Sequence, residues 1–250
     1  MYAGPIDSVA RFDDRADDYV RYRPSYPAAA IDAIVRDLPP GRLIAADVGG
    51  GTGISARLLG DRGLTVIAVE PGEAMRRAAA PHRRVRWLAG RAQATGLAAA
   101  SVDLVLCAQS FHWFHTGESI AEFARILEPG GRLAIMWNRR SRTDPFTAGY
   151  RQAIVDVGGE IDAERMAFDP GIVSATGYFT PCTRDAFPNA QPLDLDGLIG
   201  RAHSASYVPK AGDAGARLLD SLRALYARHA VDDRVTLIYE TEVWMSRRLA

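Results

Sequence analysis

The sequence predicts an α/β protein built around a mostly parallel sheet, and three observations support this prediction. An apolar run over residues 43–48 leads into a glycine-rich stretch, residues 49–53, and then into a helical pattern. A second apolar run, residues 64–69, ends at Glu70. Further apolar runs alternate with helical patterns up to residue 137, which is typical of successive βαβ units. We therefore expect a sheet with helices packed on both of its faces.

The individual elements follow from the spacing of apolar residues and from the prolines and glycines between them. Short apolar runs predict strands over 43–48, 64–69, 85–88, 101–108, 133–137 and 235–245. Helical spacing predicts helices over 12–23, 28–38, 120–127 and 214–229, with shorter helices after residues 53 and 72. Pro24 and Pro27 end the first of these helices. Residues 139–207 are predicted to form a segment of helices and loops.

The glycine-rich stretch and Glu70 predict the kind of ligand. Glycines at the carboxyl end of a strand let the backbone approach a ligand closely, because no Cβ is in the way. Glu70 follows the next strand, 23 positions after Asp47, where a carboxylate accepts hydrogen bonds from ribose hydroxyls. The two features together indicate a cofactor that contains adenosine.

Asp47 distinguishes between two such cofactors. Gly51, Gly53 and Ala56 also fit the dinucleotide pattern G-x-G-x-x-A. However, a carboxylate two positions before the first glycine would repel a pyrophosphate, whereas it suits a ligand that carries an amino group and a sulfonium. An NAD-dependent oxidoreductase and a non-catalytic binding protein on the same fold remain as alternatives.

The pattern D-x-G-x-G-x-G, formed by Asp47, Gly49, Gly51 and Gly53 with Glu70 downstream, resembles the first two motifs of class I S-adenosylmethionine-dependent methyltransferases. The sequence FARILEPGGRL at 123–133 is similar to the helix, turn and strand that precede the substrate region in that family. The resemblance is close over residues 10–140. It implies a Rossmann-like sheet of seven strands, mostly parallel with the last strand antiparallel, and an N-terminal helical lid.

The resemblance also implies an activity. The chain would transfer a methyl group from S-adenosylmethionine to an oxygen, nitrogen or carbon of a small-molecule acceptor. Carboxylates, phenols and heteroaromatic compounds, such as natural-product intermediates, are the acceptor classes implied.

The cofactor residues are carried over from the family position by position. The stretch FDDRADDYVRYRP at 12–24 is similar to a helix that covers the cofactor, in which Arg23 would pair with the methionine carboxylate. Arg91 stands where many family members have an aspartate that contacts the adenine amine, so adenine recognition would fall to Ala92 or Gln93. Met75 either lies on the adenine face or packs in the core. The expected cofactor residues are Tyr19, Arg23, Asp47, Gly49, Gly51, Gly53, Glu70, Pro71, Met75, Ala92, Gln93 and Gln109.

The stretch AQSFHWFH at 108–115 follows the fourth predicted strand and is the most informative for catalysis. It resembles the Ala-Gln-x-Phe-His-Trp-Phe element of a subgroup that includes trans-aconitate-type and other small-molecule methyltransferases. By this resemblance, His112 and Trp113 face the transferred methyl group and the acceptor. The alternative is that the aromatic residues belong to the core and that His112 is structural.

The acceptor pocket is expected to draw on residues 139–207. This segment is rich in large apolar side chains, most of which will be core: Phe146, Tyr150, Met166, Phe168, Tyr178, Phe179 and Phe187. The expected acceptor residues are His112, Trp113, Asn138 and Tyr207, with His112 as the candidate catalytic residue. The chain would thus divide into an N-terminal cap (1–40), a cofactor-binding core (41–138), the acceptor segment (139–207) and a C-terminal helix and strand (208–250).

Length and composition limit the number of domains, the kinds of partner and the location that we expect. A length of 250 residues fits one α/β domain. The 30 basic and 30 acidic residues balance, so no net field attracts nucleic acid or an anionic membrane. We expect neither partner, and both a monomer and a homodimer stay open. No apolar run approaches the roughly 20 residues that span a bilayer, which predicts a soluble, cytoplasmic protein.

Metal and redox chemistry find little support in the sequence. His112, His115 and Glu118 have helical spacing but lack a H-E-x-x-H pattern, so no metal is expected. Cys107 and Cys182 lie far apart and are predicted to be buried small hydrophobic residues.

Overall fold

Seven strands form one sheet in the computed structural model, in the order β3, β2, β1, β4, β5, β7, β6. The structure describes residues 20–114, 117–158, 168–205 and 208–250. The strands are β1 (Ile44–Val48), β2 (Thr65–Val69), β3 (Val85–Leu88), β4 (Val102–Ala108), β5 (Leu127–Arg140), β6 (Thr183–Leu193) and β7 (Val235–Arg247). The first five pair in parallel, and β7 lies antiparallel between β5 and β6. The predicted sheet, with its antiparallel last strand, is confirmed.

Eight helices are described in these ranges, together with a 3₁₀ turn at Phe111–Trp113. They are α1 (Ala28–Val35), α2 (Ile54–Asp61), α3 (Glu73–Ala78), α4 (Gly117–Ile126), α5 (Pro145–Gly158), α6 (Gly171–Ser174), α7 (Leu195–His203) and α8 (Gly212–His229). The predicted helix over 28–38 ends earlier, at Val35, before the sequence that contains Pro39 and Pro40. The predicted helices over 120–127 and 214–229 differ from α4 and α8 by a few residues at their ends. The predicted helix over 12–23, which was expected to form the N-terminal lid, lies largely outside the described residues.

Helices cover both faces of the sheet, and alternate residues of β5 show how the core is divided. Leu133 and Ile135 pack on one face in a cluster with α4 residues such as Phe123. Ala134 and Met136 point to the opposite face and pack in a cluster with residues of α1 and α2. Because successive side chains of a strand point to opposite faces, the buried middle part of β5 contributes side chains to both cores.

A third buried cluster lies outside these two layers. It joins α5, α7 and α8 to the first half of β7, and its largest fully buried side chain is Tyr150. Phe146 is also buried there, and Phe179 is buried in the cluster on the α4 face, as predicted for most aromatic residues of 139–207. Tyr178 is instead 48% exposed, and Met166 lies outside the described residues.

The prediction that 139–207 contains only helices and loops is wrong, because β6 runs from Thr183 to Leu193. This strand lies at the edge of the sheet and pairs only with β7. Most of its side chains are exposed or half-buried, and it contains Pro188 and Pro192. An edge strand tolerates prolines and polar residues that a central strand excludes, so its sequence lacks an apolar run.

Both cysteines are free. Cys107 is fully buried in β4, as predicted, whereas Cys182 is only partly buried. Burial raises the pKa of the Cys182 thiol to about 11. Across the described ranges, no helix is both long and apolar enough to cross a membrane, and no three metal-binding side chains come together.

The segment Tyr22–Ser25, here called the strap, crosses the carboxyl edge of β5 and β6. Gln191 of β6 donates a hydrogen bond to the carbonyl of Tyr22 at 2.9 Å, and Asn189 donates to the carbonyl of Ser25 at 2.9 Å. Arg23 donates to the carbonyl of Ser204 at 2.9 Å. The strap therefore ties the N-terminal part of the chain to β6 and to the end of α7.

We predict that Gly200→Ala loosens the strap without unfolding the protein. A Cβ at Gly200 of α7 would lie 2.3 Å from the ring of Tyr22, so the ring must move. Overpacking of this kind costs about 1–3 kcal/mol, which raises local opening by roughly 5- to 150-fold. Trypsin cleavage after Arg21, followed by mass spectrometry, should accelerate by a comparable factor.

Gly149→Ala of α5 is the matched control. Its Cβ would lie 2.7 Å from Leu225 Cδ1, which is the end of a flexible side chain in the third cluster. Its cleavage after Arg21 should stay at the wild-type rate. Equal cleavage rates for the two variants would contradict this account of the strap.

Candidate functional site

The glycine loop joins β1 to α2 and depends on backbone angles that other residues rarely adopt. Gly49, Gly51 and Gly53 have φ values of +69°, +55° and +79°, in the left-handed region where a Cβ is penalised. The N–H of Gly49 donates to the carbonyl of Val69 at 2.9 Å. Val48 and Val69 are partners in the parallel register, so the loop and Glu70 leave the sheet side by side.

Glu70 bridges the glycine loop and the loop after β2. Its Oε2 accepts a hydrogen bond from the N–H of Gly51 at 3.0 Å, and its Oε1 accepts one from the N–H of Gly72 at 2.8 Å. Burial raises the pKa of Glu70, although these hydrogen bonds and nearby Arg76 offset part of the effect. Arg76 also donates to the carbonyl of Pro71 at 2.7 Å. Sequence reasoning anticipated a ligand role for Glu70 but missed this bridging role.

Asp47 is fully buried at the end of β1. Ser55 of α2 donates a hydrogen bond from Oγ to Asp47 Oδ2 at 2.7 Å. No donor in the described part of the chain reaches Asp47 Oδ1, and the buried hydroxyl of Thr52 is likewise without a partner there. Desolvation by burial raises the pKa of Asp47 from 3.8 to about 7. The loop thus holds buried polar atoms that a bound polar ligand can satisfy.

The 3₁₀ turn that contains His112 and Trp113 begins directly against the glycine loop. Ser110 donates from Oγ to the carbonyl of Val48 at 2.7 Å, and a Cβ on Gly49 would lie 2.6 Å from Ser110 Cβ. The rings of His112 and Trp113 are 4.9 Å apart. Trp113 is 38% exposed, so it is not a core residue.

An aromatic cluster extends from this turn along one face of the sheet. The ring of Phe168 lies 5.5 Å from Phe111, 5.1 Å from Trp137 and 5.5 Å from Trp244. Phe111 is 1% exposed. The core interpretation therefore holds for Phe111, whereas its neighbour Trp113 faces outward.

Gln109 links the end of β4 to the end of β5. It is a non-glycine residue with φ of +56°, and backbone strain of this kind clusters at functional sites. Its backbone N–H donates to the carbonyl of Met136 at 2.8 Å, and its side-chain amide donates to the carbonyl of Asn138 at 3.2 Å. The predicted cofactor residue Gln109 thus lies next to the predicted acceptor residue Asn138.

The side chain of Asn138 joins the strap to the sheet. Its amide nitrogen donates to the carbonyl of Ser25 at 3.1 Å. Its Oδ1 accepts hydrogen bonds from Asn189 at 3.1 Å and from Thr241 at 2.6 Å. Tyr19, His115 and Tyr207, which the sequence also singled out, lie outside the described residues.

The loop after β3 carries the residues expected near adenine. Ala92 is buried, whereas Arg91 and Gln93 are exposed. Glu122 of α4 holds this loop, because its Oε1 accepts hydrogen bonds from the backbone N–H and the hydroxyl of Thr95 at 2.9 and 2.6 Å. Sequence reasoning missed Glu122.

Met75 of α3 is 4% exposed. Burial alone does not decide between packing in the core and contact with adenine. A buried position still permits contact with a ligand bound between α3 and the glycine loop.

The strand order, the antiparallel seventh strand, the glycine loop after β1 and the acidic residue after β2 together define a class I S-adenosylmethionine-dependent methyltransferase. Comparison with known proteins agrees with this class. Residues 46–135 match the family model described as a methyltransferase domain.

The chain belongs to this methyltransferase family. It is 35% identical over 227 residues to an uncharacterized methyltransferase of Mycobacterium tuberculosis (strain ATCC 25618 / H37Rv), and the match covers 89% of this chain and 88% of that protein. The protein is therefore a methyltransferase, which decides against the oxidoreductase and the non-catalytic alternatives.

Two solved structures illustrate the shared fold. A candidate type II methyltransferase from Anaeromyxobacter dehalogenans is 25% identical, with a TM-score of 0.62 over 91% of this chain and 97% of that chain. Phosphoethanolamine N-methyltransferase 2 from Haemonchus contortus, in complex with phosphomonomethylethanolamine and S-adenosylhomocysteine, is 15% identical. Its TM-score is 0.57 over 100% of this chain and 62% of that chain.

Asp47 predicts how stability depends on pH. The pKa of the Asp47 carboxyl is about 7 in the folded chain and 3.8 as its ordinary value. The folded chain therefore keeps this proton up to a higher pH than the unfolded chain does. The contribution of this carboxyl to stability is therefore full below pH 3.8 and is lost as the pH rises to about 7. Asp47→Asn keeps the neutral form, so it should raise the free energy of unfolding by about 1–3 kcal/mol at pH 8 and change it little at pH 4.

Urea denaturation at the two pH values measures this difference. Asp185→Asn, at an exposed position in β6, is the matched control and should change neither value by more than about 0.5 kcal/mol. An equal effect of Asp47→Asn at pH 4 and pH 8 would show that the carboxyl does not titrate in this range.

Proposed function

We propose that this methyltransferase transfers the methyl group of S-adenosylmethionine to a small-molecule acceptor bound beside His112 and Trp113. The observation that carries the proposal is the pair of carboxylates, Asp47 and Glu70, held on either side of the glycine loop. One carboxylate suits the cationic amino-acid end of the donor, and the other suits its ribose. The relative from Haemonchus contortus, whose complex contains S-adenosylhomocysteine, supports the same choice of cofactor.

The residues of the loop fit this cofactor. Asp47 Oδ1 is a buried acceptor for which the described chain supplies no donor, and the ammonium group of the donor molecule would supply one. Each oxygen of Glu70 accepts one backbone hydrogen bond and keeps a lone pair for a ribose hydroxyl. Pro71, Met75, Ala92 and Gln93 would surround the adenine, and Arg23 and Tyr19 would cover the methionine carboxylate.

Methyl transfer demands alignment more than acid–base chemistry. When bound, the donor supplies an electrophilic methyl group on its sulfonium. The chain's contribution is to hold the acceptor atom about 3–3.5 Å from that methyl group and in line with it. The exposed indole of Trp113 offers an apolar surface to the acceptor, and the strap would help to exclude water.

His112 has two possible roles that depend on the acceptor. A carboxylate acceptor is already ionised at neutral pH and needs only a hydrogen-bond donor. A phenol or heteroaromatic N–H must lose its proton, and His112 would then act as general base. The helices α5, α7 and α8, which share one buried cluster, would enclose the acceptor.

We predict that the chain binds S-adenosylhomocysteine but not NAD, and that Glu70→Ala weakens this binding. Loss of a carboxylate that accepts hydrogen bonds from two hydroxyls costs about 1–3 kcal/mol, or roughly 5- to 150-fold in Kd. Isothermal titration calorimetry measures both effects.

Glu73→Ala is the matched control for Glu70→Ala. Glu73 is an exposed carboxylate three residues away whose ion pair is with Arg77 at 2.5 Å, so its removal should leave the Kd unchanged. Tighter binding of NAD than of S-adenosylhomocysteine would refute the proposed cofactor.

We predict that His112→Ala and Trp113→Ala lower turnover while leaving the Kd of S-adenosylhomocysteine nearly unchanged. Loss of Trp113 should raise KM for the acceptor, because apolar contact is removed. Loss of a general base should instead lower kcat most at pH values where the acceptor stays protonated.

A panel of carboxylate, phenol and heteroaromatic acceptors, assayed with methyl-labelled donor from pH 6 to 9, separates the two roles. If His112→Ala keeps the full kcat over this range with the acceptor that turns over, the histidine is not a base. A matching loss of cofactor affinity in both variants would place this turn in the cofactor site instead.

A further inference from the structure

Ser55 is a buried residue of α2 that the methyltransferase motifs leave unassigned. It lies eight positions after Asp47, on the helix that follows the glycine loop. Its hydroxyl donates to Asp47 Oδ2 at 2.7 Å, and the side chains of both residues are buried. This hydrogen bond occupies one carboxylate oxygen and leaves the other, Oδ1, without a donor in the described ranges.

The groups that face the Asp47 carboxyl come from four parts of the structure. The hydroxyl of Ser55 donates a hydrogen bond to the carboxyl, and both this hydroxyl and the backbone N–H of Ala56 on α2 favour the charged form of Asp47. Glu70 after β2 disfavours it through like-charge repulsion. Cys107 of β4 is close enough for the charge of Asp47 to raise the pKa of its thiol. Gly50 of the glycine loop also lies close to the carboxyl, since a Cβ added at Gly50 would be 3.6 Å from Asp47 Oδ2.

We propose that Ser55 is a positioning residue whose hydroxyl fixes the Asp47 carboxylate with Oδ1 open to the ammonium group of the methyl donor, so that donor binding and loss of the Asp47 proton are linked. This inference rests on the proposed cofactor. It goes further in assigning a role to Ser55 and in predicting that binding releases a proton to solvent.

The linkage follows from the burial of the carboxyl. A protonated, neutral Asp47 has no charge to pair with the ammonium group, whereas the ionised form has. With a pKa of about 7, a large part of the free protein carries the proton at neutral pH. The donor therefore selects the ionised form, and the displaced proton passes to the buffer.

The test compares two ligands that differ in the amino-acid end, whose ammonium group would face Asp47. S-Adenosylhomocysteine carries the amino-acid end, and methylthioadenosine has the same adenine and ribose without it. Calorimetry from pH 5.5 to 8.5 should show the Kd of S-adenosylhomocysteine rising about tenfold per pH unit below the pKa of Asp47. The Kd of methylthioadenosine should stay nearly constant over the same range.

Ser55→Ala should move the pH profile for S-adenosylhomocysteine. Without the hydroxyl, the charged form of Asp47 loses a hydrogen bond, so the turning point should shift upward by about one pH unit. The Kd should then rise about tenfold at pH 6 and much less at pH 8.5. Ser55→Thr retains the hydroxyl and should keep the wild-type turning point, whereas a merely structural role for Ser55 would weaken both ligands alike at every pH.

The outcomes separate the inference from the proposed function. If neither ligand binds the wild-type protein, the proposed cofactor is wrong. If both bind with the same pH dependence, or if Ser55→Ala leaves the turning point in place, the role of Ser55 is overturned while the cofactor stands. The comparison of the two ligands on the wild-type protein remains decisive even if Ser55→Ala does not fold.

Discussion

The parallel pairing of β1 with β2 and β4 determines where everything else in the site can be. Its register places Val48 opposite Val69 and Asp47 opposite Leu106. The glycine loop and Glu70 therefore leave the sheet at the same edge, and the chain after β4 returns against that loop. Open α/β sheets bind ligands at this edge for the same reason.

Burial of Asp47 in the sheet destabilises its carboxylate, and the proposed function depends on this burial. Asp47 is in a central strand, where burial disfavours its charged form, and this is the source of its raised pKa. A neutral residue would suit the fold better there. The carboxyl stays useful because the same isolation that destabilises its charge makes it a strong partner for a cationic ligand.

Much of this arrangement could be predicted from the sequence, because its signals are local. Apolar runs that end in glycines or in Glu70 indicate strands, and parallel strands bring their carboxyl ends together. The edge strand β6 gave no such signal, since its half-exposed chain and its prolines look like a loop.

Other contacts could not be predicted from the sequence, because they join residues that lie far apart in the chain. Asn138 is hydrogen-bonded to Ser25, which is 113 positions away in the sequence, and Thr95 is hydrogen-bonded to Glu122, which is 27 positions away. Polar pairs of this kind leave no periodic pattern in either segment. The Ser55–Asp47 pair spans only eight positions, but a serine near a helix start ordinarily indicates a cap rather than a bond to the preceding strand.

The most direct measurement is a crystal structure of the chain with S-adenosylhomocysteine bound. Both ribose hydroxyls should lie within about 3 Å of the Glu70 carboxylate, and the amino nitrogen should be hydrogen-bonded to Asp47 Oδ1. A ligand bound elsewhere, or one whose amino-acid end points away from Asp47, would contradict the proposed cofactor site.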